Sequence, residues 1–184
     1  MINIVDKGGD FEVCPEGNFV GRVTEVIFLG TVSEEYKGVT KSSPKIKIGF
    51  ELSKLMEDGR PFVMSTFPIT ASMNKKASFR KLVQGIMPLT PDMEKAFDAE
   101  QLIGKTTLVN VFHKAGKDGA VFANIAGCSP VPEGMPIPAA VNTPFIFDVT
   151  TSPLEHLEKL PDFTREMIVK TPEYKLRSGE SVFG

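Results

Sequence analysis

Between residues 36 and 81 the chain carries ten cationic side chains, Lys37, Lys41, Lys45, Lys47, Lys54, Arg60, Lys75, Lys76, Arg80 and Lys81, against three carboxylates, Glu51, Glu57 and Asp58. That is a surplus of +7 over 46 residues. Such a surplus attracts phosphates, and aromatic faces placed among the cations stack on bases at roughly 1–3 kcal/mol each. Tyr36 and Phe67 are the candidates for such faces. Cations interleaved with outward rings are the equipment for gripping a single nucleic-acid strand. The same cluster also suits a solvated face whose task is solubility. The formal net charge of −2 hides this segregation: residues 1–130 carry 16 Lys and Arg against 15 Asp and Glu, whereas residues 131–184 carry 5 against 8.

Other chemistries lack their residues. His113 and His156 are the only histidines, Cys14 and Cys128 the only cysteines, and no CxxC, HExxH or carboxylate-rich loop gives metal-ligand spacing. No cofactor site is expected, and the two cysteines fit free buried thiols in a reducing cytoplasm. The nearest approach to a phosphate-binding loop, Ile103-Gly104-Lys105-Thr106, lacks the upstream glycine, and no GxSxG nucleophile motif occurs. The expectation is a non-catalytic protein. No apolar run reaches the roughly 18 residues of a membrane span, and MINIVDKGGDFEV lacks the layout of a signal peptide.

The elements that must position the cationic window start with residues 18–29 (NFVGRVTEVIFL), rich in β-branched and aromatic residues and read as a long strand. Gly21 inside it marks a bulge or bend, the device by which one strand serves both halves of a small barrel. Residues 33–43 are expected as a polar loop. Residues 45–52 (KIKIGFEL) alternate, with Ile46, Ile48, Phe50 and Leu52 on one face and Lys45, Lys47, Gly49 and Glu51 on the other. A turn at Glu57-Asp58-Gly59-Arg60 leads into a third strand over 61–70, where Pro68 requires an edge or bulge. Residues 72–87 change to helical period, with Phe79, Leu82, Val83 and Ile86 on one face. Thr90-Pro91 caps a second helix running to about residue 97. Strands follow over 106–113 and 120–128. The order, three strands, helix, two strands, is that of a five-stranded OB-fold β-barrel, so the expected class is mainly β with a helical insert and a helical tail. Residues 1–130 form the expected binding domain. Residues 131–184 are read as a proline-rich connector followed by short helices over 153–159 and 161–170, the second with Phe163, Met167 and Ile168 as an apolar stripe that must dock.

In this order the segments EGNFVGRVTEVIFLG, KIKIGFEL with DGRPFVMSTFPIT, ASFRKLVQGIM, FDAEQLIGKTTLVNVFH with DGAVFANIAG, and LPDFTREMIVKTPEY resemble phage-encoded OB-fold proteins of the single-stranded DNA-binding type. They span most of residues 16–175. The resemblance implies binding of single-stranded DNA, the host-cell cytoplasm, and a place in phage DNA replication or recombination. Two departures are visible: QGIMPLTPDM stands where the family carries a tryptophan-containing stretch, and SGESVFG replaces the acidic, phenylalanine-ended tail of bacterial relatives.

On OB folds the usual ligand surface is the outer face of strands 2 and 3 with the loops beside them. Lys45 and Lys47 fall on that face because Ile46 and Ile48 claim the inside, and Tyr36, Lys37 and Lys41 lie in the adjoining loop. Phe62 and Phe67 have opposite parity; the resemblance favours Phe67 as the outward ring. Lys75, Lys76, Arg80 and Lys81 extend the patch if their helix lies beside the groove. An alternative of another class is a protein-interaction or structural module of a phage replisome or particle, docking on phage replication proteins through residues 131–184. An oligosaccharide-binding barrel ranks last, since the chain has no tryptophan and two tyrosines.

Overall fold

The computed structural model describes residues 12–180; residues 1–11 and 181–184, on which two of the readings above partly rest, lie outside the described residues. The chain opens with two long antiparallel strands, β1 (Gly17–Tyr36) and β2 (Val39–Leu55). The stretch expected as a loop is the end of this hairpin. Ser33 faces Ser42 and Glu34 faces Lys41 across the ladder, and Lys37 and Gly38, at φ of 50° and 77°, form the two-residue turn that right-twisted strands favour. Both faces of this ribbon are in water, so its sequence carries no alternation by which a strand is recognised.

Two short strands, β3 (Pro61–Ser65) and β4 (Ile69–Thr70), both pair with β2. Pro68 falls in the break between them. There the side-chain oxygen of Thr66 accepts the Ile48 N–H at 3.1 Å, replacing a ladder bond. Strands β5 (Thr106–Ala115) and β6 (Val121–Ser129) form a second hairpin, and β7 (Phe145–Asp148) adds a strand that the sequence reading did not contain. The sheet has seven strands in the order β3-β2-β1-β5-β6, with β4 on β2 and β7 on β1. All pairs are antiparallel except β1 with β7.

Strand β1 serves two neighbours along one edge: Gly17–Arg22 pair with β5, and Glu25–Phe28 pair with β7. A register shift between Val23 and Glu25 separates the two halves. Gly21 lies just before it, where a Cβ would come within 2.6 Å of the Val109 side chain. Four of the five strands expected from sequence are present and the third is broken into β3 and β4, and hydrogen bonding does not close the sheet: among the described residues β3 and β6 each have a partner on one side only.

Helix α1 (Ser78–Ile86) follows β4 and is shorter than its periodicity suggests. Ser72 and Asn74 accept the backbone N–H groups of Asn74 and Lys76, and these local turns compete with the helix until Ser78. Phe79, Leu82 and Val83 turn inward onto Val23, Ile48, Phe50, Val109 and Val111, the main core. At the far end α1 lies against β6 so closely that a Cβ on Gly85 would sit 2.2 Å from the Cys128 carbonyl oxygen. Helix α2 (Pro91–Lys95), capped by Thr90, stands where its proline signal placed it.

A second core lies on the opposite face of β1. Ile27, Leu29 and Val32 pack there with Phe147, Val149, Leu157, Leu160 and Ile168. The tail therefore docks on its own sheet through a 3-10 turn at Leu154–Lys159, helix α3 (Asp162–Val169) and helix α4 (Pro172–Ser178). Of the expected stripe, Ile168 is fully buried and Met167 partly so, whereas Phe163 is 65% exposed. Thr164, one turn before Ile168, takes the inward place instead. Helix α4 was not expected, although Thr171-Pro172 repeats the cap-and-proline signal of Thr90-Pro91.

Candidate nucleic-acid interface

Seven of the ten candidate residues are exposed and fall into three groups. Tyr36, Lys37 and Lys41 stand exposed on the β1–β2 ribbon, with the Lys37 ammonium 5.3 Å from the centre of the Tyr36 ring. Lys75 and Lys76 are exposed in the turns before α1. Phe67, 71% exposed, and Lys81 line one cleft, described below. Phe62 is buried, so the two rings divide as their parity requires.

Lys45, Lys47 and Arg80 do not belong to a free cationic surface, and this corrects the sequence reading. Lys45 is buried, its ammonium 3.1 Å from Glu34 and 3.4 Å from the Thr70 hydroxyl. Lys47 donates to the Thr164 hydroxyl of α3 at 2.8 Å. Burial lowers its pKa, opposed by the Glu25 carboxylate nearby. Both lysines do point away from Ile46 and Ile48, but that face is closed at Lys47 by Thr164 of the tail and at Lys45 by Glu34 and Thr70. Arg80 is buried at the joint of α1 and α2, bonded to Glu94 at 2.7 Å and to the Met73 carbonyl at 3.2 Å.

The covered face is held by carboxylates. Glu51, buried on β2, accepts the N–H of Val141 at 2.9 Å and that of Asn142 at 2.6 Å, with the Asn142 carboxamide at 2.7 Å. Burial raises its pKa, but these bonds and the Arg22 charge outweigh that and hold the carboxyl below its ordinary value. Glu173 of α4 accepts from the Thr31 N–H and hydroxyl, at 3.0 and 2.7 Å. Here too burial raises the pKa and the Thr31 bonds overcome it. Gly30 makes room, since a Cβ there would lie 2.8 Å from the Glu173 carboxylate. Glu25 shows the opposite balance: burial pushes its pKa up, and Lys47 and Ser65 only moderate the rise.

What remains open is the seam of the sheet. Between the β3–β4 edge and β6 lies a cleft of about 600 Å³, floored at one end by Ser78, Lys81 and Leu82 of α1. Its walls carry Ser65, Thr66, Phe67 and Ile69 on one side and residues 123–128 on the other. Lys81 is its one charged lining residue among the described residues. Outside the β6 wall, Phe112 and Asn124 face each other across the β5–β6 ladder, as do Lys114 and Phe122, so these four side chains share one face. Phe112 is 39% and Phe122 56% exposed.

Phe112, Lys114 and Phe122 escaped the sequence reading. The signal was present in parity: in TTLVNVFH the buried Val109 and Val111 put Phe112 on the face of Asn110, which is solvent-exposed. The cysteines lie apart from this face. Cys14 is buried and Cys128 partly so, and burial pushes the Cys128 thiol up to about 12. The sequence matches no protein-family model and no curated protein. Among the described residues no helix is long and apolar enough to cross a membrane.

Proposed function

We propose that this chain binds single-stranded DNA, with little sequence preference overall, across the open seam and the outer face of the β5–β6 hairpin. The observation that carries the reading is the set of outward rings beside cations: Phe67 with Lys81 on the cleft, and Phe112 and Phe122 with Lys114 on the neighbouring face. Rings exposed in this way stack bases, while the ammonium groups meet phosphates. The exposed Tyr36, Lys37 and Lys41 extend the reach along the ribbon. The strand order β3-β2-β1-β5-β6, with α1 between the third-strand region and β5, supports an OB barrel left open between β3 and β6. In that reading the usual ligand face is shifted toward the seam, because the tail covers the outer side of β1 and the start of β2. The resemblance noted in the sequence gives the setting: phage DNA replication or recombination in the host cytoplasm.

The test is a fluorescence-anisotropy titration of labelled oligo-dT and of duplex DNA of equal length at two salt concentrations. Tighter binding of the single strand is expected, with an affinity that falls as salt rises by a slope of about −0.7 per phosphate neutralised. Equal or absent binding of both forms at low salt overturns the reading. The free edges of β3 and β6 favour one other reading, strand addition by a partner protein. That reading calls for an indifferent response to oligonucleotides and to salt.

A further inference from the structure

Three glycines of the sheet and its helix are required by close approach: at Gly21, Gly49 and Gly85 a Cβ would come within 2.2–2.7 Å of another group. Gly127 of β6 is not. Its φ lies outside the left-handed region, and a Cβ added there has no neighbour within 4 Å. Glycine inside a strand costs conformational entropy and packs nothing, and it marks either a bulge, as the register shift between Gly127 and Ile125 opposite Asn110 and Val111 provides here, or a place where a ligand or another backbone comes close. Gly127 lines the open cleft.

Building on the strand-binding reading, we propose that this cleft seats a single nucleobase of the bound strand and discriminates among bases. Its volume of about 600 Å³ falls in the range of small-ligand sites. Phe67 supplies the stacking face, and Lys81, at the end formed by α1, meets the adjoining phosphate. The β6 wall is an unpaired strand edge, whose outward N–H and C=O groups offer donors and acceptors to the rim of a base. Asn124 borders the same wall, with its side chain on the face shared with Phe112 and its carboxamide donating to the Phe122 carbonyl at 3.3 Å. Stacking alone tolerates every base, whereas hydrogen bonds to a base edge distinguish them. Gly127 leaves the approach to that edge unobstructed.

The experiment titrates the full chain with oligo-dT, oligo-dC and oligo-dA of one length, and with oligo-dT carrying one abasic position moved stepwise along it. The homopolymers should differ by about fivefold or more, and one abasic position should weaken binding roughly tenfold, the scale of a lost stack. Gly127→Leu should erase both effects while leaving the salt slope unchanged. Phe67→Ala, at an exposed position that the fold does not need, should also erase the abasic effect, so the outcome does not hang on one variant folding. Lys81→Gln should reduce the slope by about 0.7. Homopolymer differences and abasic sensitivity that persist in both Gly127→Leu and Phe67→Ala, on chains folded by circular dichroism, overturn the base site and leave the strand-binding reading standing. No binding of any oligonucleotide by the unaltered chain overturns both.

Discussion

Gly85 of α1, packed on β6, and Gly127 within β6 are glycines for opposite reasons, and their alanine variants should separate in sign. A methyl group at Gly85 would collide with the Cys128 carbonyl at 2.2 Å, and that carbonyl belongs to a strand fixed to β5. Alanine normally gains about 1 kcal/mol over glycine inside a helix, but forcing α1 off β6 costs about 1–3 kcal/mol or more. Gly85→Ala should therefore lower the urea midpoint. Gly127→Ala should leave it unchanged or raise stability by about 0.4–1 kcal/mol, through the unfolded chain. At this scale the sequence was only half legible. Parity put Lys45 and Lys47 opposite Ile46 and Ile48, as found, but whether a face meets water or another element depends on residues 100 or more positions away, such as Thr164. Arg80 shows the same limit, since its partner Glu94 lies on another helix.

Among the elements, the tail is a structural layer. Ile27, Leu29 and Ile168 are fully buried between β1 and the tail, and side chains of this kind cost about 1.5–3 kcal/mol each when returned to water. A chain ending at residue 130 should aggregate, read by light scattering. Ile168→Ala should destabilise the full chain by about 2–5 kcal/mol, read by chemical denaturation. A soluble truncated chain with an unchanged melting point would contradict this view of the tail. The signal for the layer was available. In residues 26–29, VIFL, both parities are apolar, which is the mark of a strand covered on both faces. Strand β7 carries no comparable mark: FIFD is four residues long and follows a proline-rich connector, so neither length nor alternation identifies it. The long strand, α1, α2 and the β5–β6 hairpin were readable because their periodicity and caps are local.

For the whole molecule, the two carboxylates that tie the connector and the tail to the sheet set its response to acid. Glu51 and Glu173 have folded pKa values below the ordinary 4.5, so their contribution is fully present above about that pH and is lost as pH falls through their folded values. Glu25, with its pKa raised, works in the other sense: its contribution is present below 4.5 and is lost as pH rises through the folded value. Acidification below pH 4.5 should thus release the connector near Asn142 and helix α4 before the inner sheet, seen as earlier amide exchange by mass spectrometry. The Glu51→Gln, Glu173→Gln double variant should exchange there at neutral pH and lose most of the acid response. The parallel pairing of β7 with the middle of β1 also bears on how the chain is made. Residues 25–28 receive their last neighbour only when residues 145–148 exist, and Ile27 waits for Ile168, about 140 residues later. At roughly 5–20 residues per second a ribosome leaves that apolar flank bare for about 7–30 s. Folding in the cell must therefore shelter this flank of β1 until the tail emerges.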